Sequence, residues 1–259
     1  MHSGRSLVSV TIVTLNEEKN VERAIRSAYW ADEVLVVDCG SSDKTVEIAS
    51  QLGAKVVRRA WEGFGQQKNF AQNEAKHDWV LNIDADEEVS EELKSEILSV
   101  LKAHALNTES VKQGYFVPRL AFYMGRWIYH GGWFPNQLIR FANRKSSIWT
   151  EPHLHEEWTV RGGVGRLRGK LFHYPFSSVE DQIKKNILYA KQGSLDLLDR
   201  GVSSTWAKLI FKPIGKFFET YFLKRGFLDG LPGFIISMNA AYSMFMKFTF
   251  LIEKQRALK

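Results

Sequence analysis

The chain has 259 residues, 44% hydrophobic and 25% charged, with 17 Phe, 8 Trp and 8 Tyr; this excludes disorder, collagen-like repeats and a disulfide scaffold, and suffices for one domain or one and a half. Its single cysteine, Cys39, has no partner within the chain, so no intramolecular disulfide forms and a reducing compartment is the simpler setting. The net charge of +6 taken alone suggests nucleic acid, a membrane surface or an acidic substrate. Residues 1–200, however, balance 26 basic against 26 acidic side chains, and the excess lies in residues 201–259, with 9 basic, 3 acidic and 12 aromatic residues.

The apolar stretch after Ser6 alternates with Ser and Thr and ends at Asn16-Glu17, which reads as a first strand and not as a signal peptide. Val8–Leu15, Glu33–Asp38, Ala54–Arg58 and Trp79–Asp84 are short and β-branched, as buried strands are. Helices are expected between them over Glu17–Tyr29, over Asp43–Leu52 with Ser42 as cap and Gly53 as stop, and over Phe64–Ala75. This alternation predicts an α/β fold with a mainly parallel sheet, whose ligands bind at the carboxyl ends of the strands. Ser90 with Glu91 and Glu92 starts a further helix reaching about Ala105. Residues 106–175 carry short β-like runs of undetermined topology, and Ser178–Arg200 reads as helix.

Beyond Gly201, Trp206, Ile210, Ile214, Phe217 and Tyr221 recur on one helical face with Lys208, Lys212 and Lys216 nearly opposite, the pattern of an interfacial membrane helix that Pro213 kinks or delays. The longest charge-free run, Gly230–Met246, has 17 residues and falls short of the roughly 20 that span a bilayer, so no membrane-spanning segment is expected.

Asp84-Ala-Asp86 carries the strongest chemical signal, because carboxylates two apart after a strand end suit Mg²⁺ or Mn²⁺ bound with a diphosphate. It closes an ordered series: Thr14-Leu-Asn16-Glu17, Val36-Val-Asp38-Cys-Gly-Ser41-Ser-Asp43, Gly65-x-x-Lys68-Asn69-x-Ala71 and Asn82-Ile-Asp84-Ala-Asp86-Glu87. At these motifs, over about residues 7–175, the sequence resembles the inverting family-2 glycosyltransferases, which have the GT-A fold (a Rossmann-like nucleotide-diphospho-sugar transferase) and use nucleotide-diphosphate sugars. Cys39 stands where many members have Gly, and reads as a small residue instead of a reactive thiol.

The resemblance implies that Thr14, Asn16 and Glu17 line the nucleoside pocket of a UDP-sugar, that Ser41 is a donor-binding residue and that Asp38 reads the base. It further implies that Lys68 neutralises donor phosphate or holds the base, that Asp84 contacts ribose or sugar, and that Asp86 ligates an Mg²⁺ or Mn²⁺ ion. His173 either joins the metal shell or is a satisfied core histidine. In Trp149-Thr-Glu151-Pro-His-Leu-His155-Glu156-Glu157-Trp158 a His-Glu pair matches one subset of the family, making Glu156 with His155 the expected catalytic pair and Glu151 and Glu157 the fallbacks. A zinc helix is opposed by the spacing and by Pro152. Trp133 and Arg140, in Gly131-Gly-Trp133-Phe-Pro-Asn136-Gln137-Leu-Ile-Arg140, are expected on the acceptor side, through stacking on sugar and binding of phosphate or carboxylate.

The His-Glu pair and the Gly226-Phe-Leu-Asp229-Gly230 stretch with Gly233-Phe234 are similar to those of bacterial lipopolysaccharide inner-core β-1,4-glucosyltransferases. This implies glucose transfer to a heptose of a lipid-linked acceptor by a peripheral protein on the cytoplasmic face of the inner membrane, bound to an anionic membrane surface. The expected organisation is a catalytic domain over 1–176, with a nucleotide-sugar half over 1–105 and an acceptor half over 106–176, and a helical membrane-association extension over 177–259. Competing readings are a same-fold enzyme acting on polyprenyl phosphate or a peptide, and a non-catalytic nucleotide-sugar-binding module. The net-zero charge of residues 1–200 argues against nucleic acid, and the oligomeric state is not legible.

Overall fold

A computed structural model describes residues 4–106, 112–150 and 157–257. The chain divides into a first unit, Met1–Arg119 with Gln137–His173, and a second, Leu120–Asn136 with Tyr174–Lys259.

The first unit opens with β1 (Val8–Thr14), α1 (Val21–Ser27), β2 (Glu33–Asp38), α2 (Thr45–Gln51), β3 (Lys55–Arg58), α3 (Phe64–Glu74) and β4 (Trp79–Asp84). Nearly every residue of β1 and β4 is buried, as in parallel strands covered on both faces. β5 (Glu87–Val89), α4 (Glu91–Leu106), β6 (Gly114–Tyr123), β7 (Arg126–Ile128), β8 (Asn136–Asn143), β9 (Ser147–Trp149), β10 (Trp158–Val160), β11 (Val164–Arg166) and β12 (Leu171–His173) follow. The sheet order is β3-β2-β1-β4-β8-β6-β12-β5, with β11 beside β6. β1, β2, β3 and β4 pair in parallel and β8 lies antiparallel to β4, so the sheet is mixed. In the core Trp79 stacks on Phe141 at 4.9 Å among Ile12, Ile25, Leu93 and Leu101.

Two expected helix starts move. α1 begins at Val21 instead of Glu17, because the Glu17 carbonyl accepts from the Asn20 and Val21 amides in a preceding turn. Ser42 does not cap α2; its amide and hydroxyl donate to Asn16 Oδ1, and Asp43 Oδ1 accepts from the Thr45 amide. Ser90 does cap α4, its Oγ accepting from the Leu93 amide at 3.1 Å.

In the second unit the end of β6 forms a hairpin with β7, and α5 (Val179–Asp199), α6 (Trp206–Phe218) and α7 (Gly230–Ala257) follow. Pro213 sits inside α6, and a π-helical turn, Glu219–Leu223, continues it. Leu120–Asn136, expected with the acceptor half, is tied instead to the C-terminal helices. The buried Asp229 carboxylate accepts from the His130 amide at 2.8 Å, and Tyr123 and Ile128 pack with Ile236. Within the C-terminal segment Gly233 permits a close approach of its own, since a Cβ there would fall 1.9 Å from the Gly226 carbonyl oxygen.

α7 is longer than the charge-free run suggested, because Lys247 ends that run but not the helix. Its 28 residues extend about 42 Å, and by length and composition it could cross a membrane.

Candidate functional site

Parallel register places Thr14 opposite Asp38 and Val13 opposite Asp84, so three expected donor-side residues reach the same sheet edge. Asn16 takes a left-handed φ of 55° there; its amide donates to Ser41 Oγ at 2.9 Å and its Oδ1 accepts from the Ser42 amide at 2.9 Å. The Glu17 amide donates to Thr45 Oγ1 at 2.8 Å. Asp38 is buried, accepting from the Gly40 and Ser41 amides at 3.0 and 3.1 Å. Thr14 Oγ1 is buried without a hydrogen-bond partner, a polar atom at this edge still able to bond a ligand.

Burial, with the neighbouring Asp38 charge, pushes the Cys39 thiol up to about 11. A thiol so shifted is inert at neutral pH, so native protein resists iodoacetamide while denatured protein is labelled stoichiometrically. Rapid labelling of the native chain contradicts this.

At the end of β4 three cations from three elements converge on one carboxylate. Asp84 receives Arg140 Nη2 from β8 at 2.6 Å, Lys68 Nζ from α3 at 3.4 Å and, more distantly, Arg119 Nη1 from β6 at 3.8 Å. Burial by itself raises the Asp84 carboxyl, but Arg140, Lys68 and Arg119 outweigh it and hold it well below the usual carboxylate range. Glu87, fully buried, accepts from Arg140 at 3.1 Å and from Arg119 at 3.2 Å, and takes the Asp84 amide at 2.9 Å. Arg140, expected on the acceptor side, is thus no surface arginine: it is 3% exposed and also donates to Asn82 at 3.0 Å.

Lys68 is no solvated helix charge either. α3 buries Gly65, Gln67, Lys68, Ala71 and Gln72, so its inward face is largely polar. Asn69 clamps the main chain of Trp149, donating to its carbonyl and accepting from its amide, both at 2.9 Å. Clamped in this way, the Trp149 ring lies 4.7 Å from Lys68 Nζ and stacks on Trp158 at 5.0 Å. A cleft of about 510 Å³ is lined by Lys68, Asp84, Arg119, Arg140, Trp149 and Glu157, among others.

Asp86 Oδ2 stands 3.3 Å from His173 Nε2, because β12 pairs antiparallel with β5 and sets His173 opposite Glu87. A carboxylate oxygen and an imidazole nitrogen at that separation suit two adjacent ligands of one Mg²⁺ or Mn²⁺ ion. Among the described residues no group of three or more His, Cys, Asp or Glu that could hold a metal ion is found.

Trp133 lies in the second unit and packs on Tyr123 and Phe176, at 5.7 and 6.1 Å between ring centroids. Glu151, His155 and Glu156 lie outside the described residues, as does His153. The chain flanking them is described: the Thr150 amide donates to the Glu157 carbonyl at 2.9 Å, and Trp149, Glu157 and Trp158 all border the cleft. Sequence reasoning assigned no role to Arg119, Glu87 or Trp149. Arg119 carries no local signal, since its partner Glu87 is 32 residues away; Glu87, directly after Asp86, was readable as a third acidic residue of the motif.

The family described as Glycosyl transferase family 2 matches residues 9–155. A Rickettsia typhi protein described as an uncharacterized glycosyltransferase is 34% identical over 95% of this chain and 87% of its own length. The lipopolysaccharide core biosynthesis glycosyltransferase LpsC of Rhizobium meliloti is 30% identical over 92% of this chain and 89% of its own. A solved structure of glucosyl-3-phosphoglycerate synthase from Mycobacterium tuberculosis, in complex with Mn²⁺, uridine-diphosphate and glucosyl-3-phosphoglycerate, is 18% identical. It covers 77% of this chain and 82% of that chain, with a TM-score of 0.47.

Proposed function

Since this chain belongs to glycosyl transferase family 2, we propose that it is a metal-dependent inverting enzyme that moves glucose from UDP-glucose to a lipid-linked saccharide in a single displacement. The acceptor is an inner-core heptose of lipopolysaccharide, a reading supported by the likeness to LpsC, and the enzyme works peripherally on the cytoplasmic face of the inner membrane. The observation that carries the donor half is the convergence of Lys68, Arg119 and Arg140 around Asp84 in one cleft.

Thr14, Asn16, Glu17 and Ser41 hold the nucleoside, with Asp38 at the base edge. Lys68 and Arg140 exchange part of their hold on Asp84 for the donor diphosphate, and Asp84 turns to ribose or sugar. Asp86 and His173 would hold the Mg²⁺ or Mn²⁺ ion, which when bound offsets negative charge developing on the leaving diphosphate. Glu156, beside His155, takes the proton from the acceptor hydroxyl as its oxygen bonds to the anomeric carbon and the bond to diphosphate breaks. The Trp149 and Trp158 rings border the cleft, as surfaces for sugar C–H faces.

Glu156→Gln is expected to abolish transfer while UDP binding, followed by calorimetry, is retained; wild-type turnover in this variant rules Glu156 out as base. The reading as a whole is tested by supplying Mn²⁺, a panel of nucleotide sugars and deacylated lipopolysaccharide core. UDP-glucose is expected to give transfer to the core and slow hydrolysis without it. Absence of both with every donor refutes the assignment, and transfer only to polyprenyl phosphate or a peptide corrects the acceptor.

A further inference from the structure

α6 is a 13-residue helix with no buried residue, although its sequence is largely apolar. Trp206 is 75% exposed, Phe211 69% and Phe218 53%, and Ile210 and Ile214 are also exposed. At 100° per residue these five side chains occupy one arc, while Lys208, Lys212 and Lys216 lie nearly opposite it. The apolar arc continues beyond the helix into Phe222, Leu223, Phe227, Leu228 and Leu231, all exposed, flanked by the exposed Lys224 and Arg225. A soluble surface rarely leaves such a continuous aromatic patch uncovered.

We propose that this face, α6 with the turns through Leu231, is an interfacial docking surface for an anionic lipid leaflet, with the aromatic arc among the upper acyl chains and the lysines at the headgroups. The occupant follows from charge complementarity. Lys208, Lys212 and Lys216 line a groove of about 580 Å³ together with Phe211, Gly215, Met244 and Glu219, the last paired with Lys216 at 3.1 Å, so cations in excess of the one carboxylate border apolar surface along the helix. That pairing of lysine and exposed aromatics suits a surface that is negative outside and apolar beneath. A second copy of this chain would bring the same lysines against themselves.

Docking is interfacial and not spanning, even though α7 is long enough to cross. Ile236, Ser237, Phe248 and Leu251 of α7 are buried within the second unit, and Asn239 Nδ2 donates to Gln182 Oε1 of α5 at 2.9 Å, beside the Tyr123 hydroxyl bond to the same oxygen. Inserting α7 across a bilayer would break that ladder. The inference rests on the proposed function only in supplying a membrane-bound acceptor.

The experiment is co-sedimentation of the full chain with phosphatidylethanolamine vesicles containing phosphatidylglycerol, and with neutral phosphatidylcholine vesicles. Wild type is expected to bind the anionic vesicles preferentially and to come off in alkaline carbonate. K208Q/K212Q/K216Q is expected to weaken binding by about a hundredfold, since each basic residue near such a surface adds roughly fivefold. W206S/F211S/F218S, whose side chains are all more than half exposed, is expected to lose vesicle binding while still transferring sugar to the deacylated core. Equal binding to neutral vesicles, no binding, or retention in carbonate overturns the docking mode, as does a stable dimer with these side chains protected. Loss of transfer to the deacylated core by wild type instead refutes the proposed function and leaves the vesicle result standing.

Discussion

Arg140→Met is expected to lower folding stability by about 3 kcal/mol, the low end for breaking a buried ion pair, and to shift the urea midpoint without a change of slope. The variant removes the 2.6 Å contact to Asp84, the 3.1 Å contact to fully buried Glu87 and the donor to Asn82. Arg119 and Lys68 stay in place, which keeps the loss from being larger. Methionine fills similar volume, so the loss reflects abandoned carboxylates more than a cavity. Glu87→Gln in the same background restores part of the loss, because it removes one stranded charge; simple additivity of the two single effects shows that the residues are not coupled.

The same cluster contributes to the acid behaviour. The Asp84 carboxyl is lower when folded than its ordinary 3.8, so its contribution is complete above that value and is lost as pH falls through the folded one. In Arg140→Met the folded carboxyl moves back up, and the acid limb of stability flattens below about pH 4. An unchanged acid limb contradicts the dominance of Arg140 over the other two cations.

Asp86→Ala is expected to slow transfer about a thousandfold, the equivalent of roughly 4 kcal/mol of lost charge stabilisation at the leaving group. His173→Ala should cost about tenfold, because the carboxylate still holds the ion. The sharper measurement is UDP binding: Mn²⁺ strengthens it in the wild type and leaves it unchanged in Asp86→Ala. Equal Mn²⁺ dependence in both proteins removes Asp86 from the metal site.

The parallel strands of the first unit could be read from sequence because their information is local. Glu33–Asp38 and Trp79–Asp84 are short β-branched runs ending in carboxylates, and the observed strands have the same bounds. Lys68 was legible as part of a motif, but its burial was not, since the inward face of α3 is polar and lacks an apolar stripe. Arg119 and Arg140 reach Asp84 only through the β4-β8-β6 neighbourhood, a non-local pairing that no spacing rule reveals. The amphipathic face of α6 was visible for the opposite reason, as its period is intrinsic to one helix, whereas whether anything covers it required the fold. The placement of Leu120–Asn136 escaped because Asp229 meets the His130 amide 99 residues away.

That last contact bears on how such a chain can be recombined. Since the second unit is assembled from two separate stretches, the C-terminal helices are not a cassette to be swapped between relatives at a single junction near residue 174. A chimera made there would graft foreign helices onto a resident hairpin, so His130 would depend on a carboxylate at the place of Asp229, and Tyr123 and Ile128 on a face matching Ile236. Exchange has to move residues 120–136 with the helices, so a lineage altering this end of the protein must alter both stretches together.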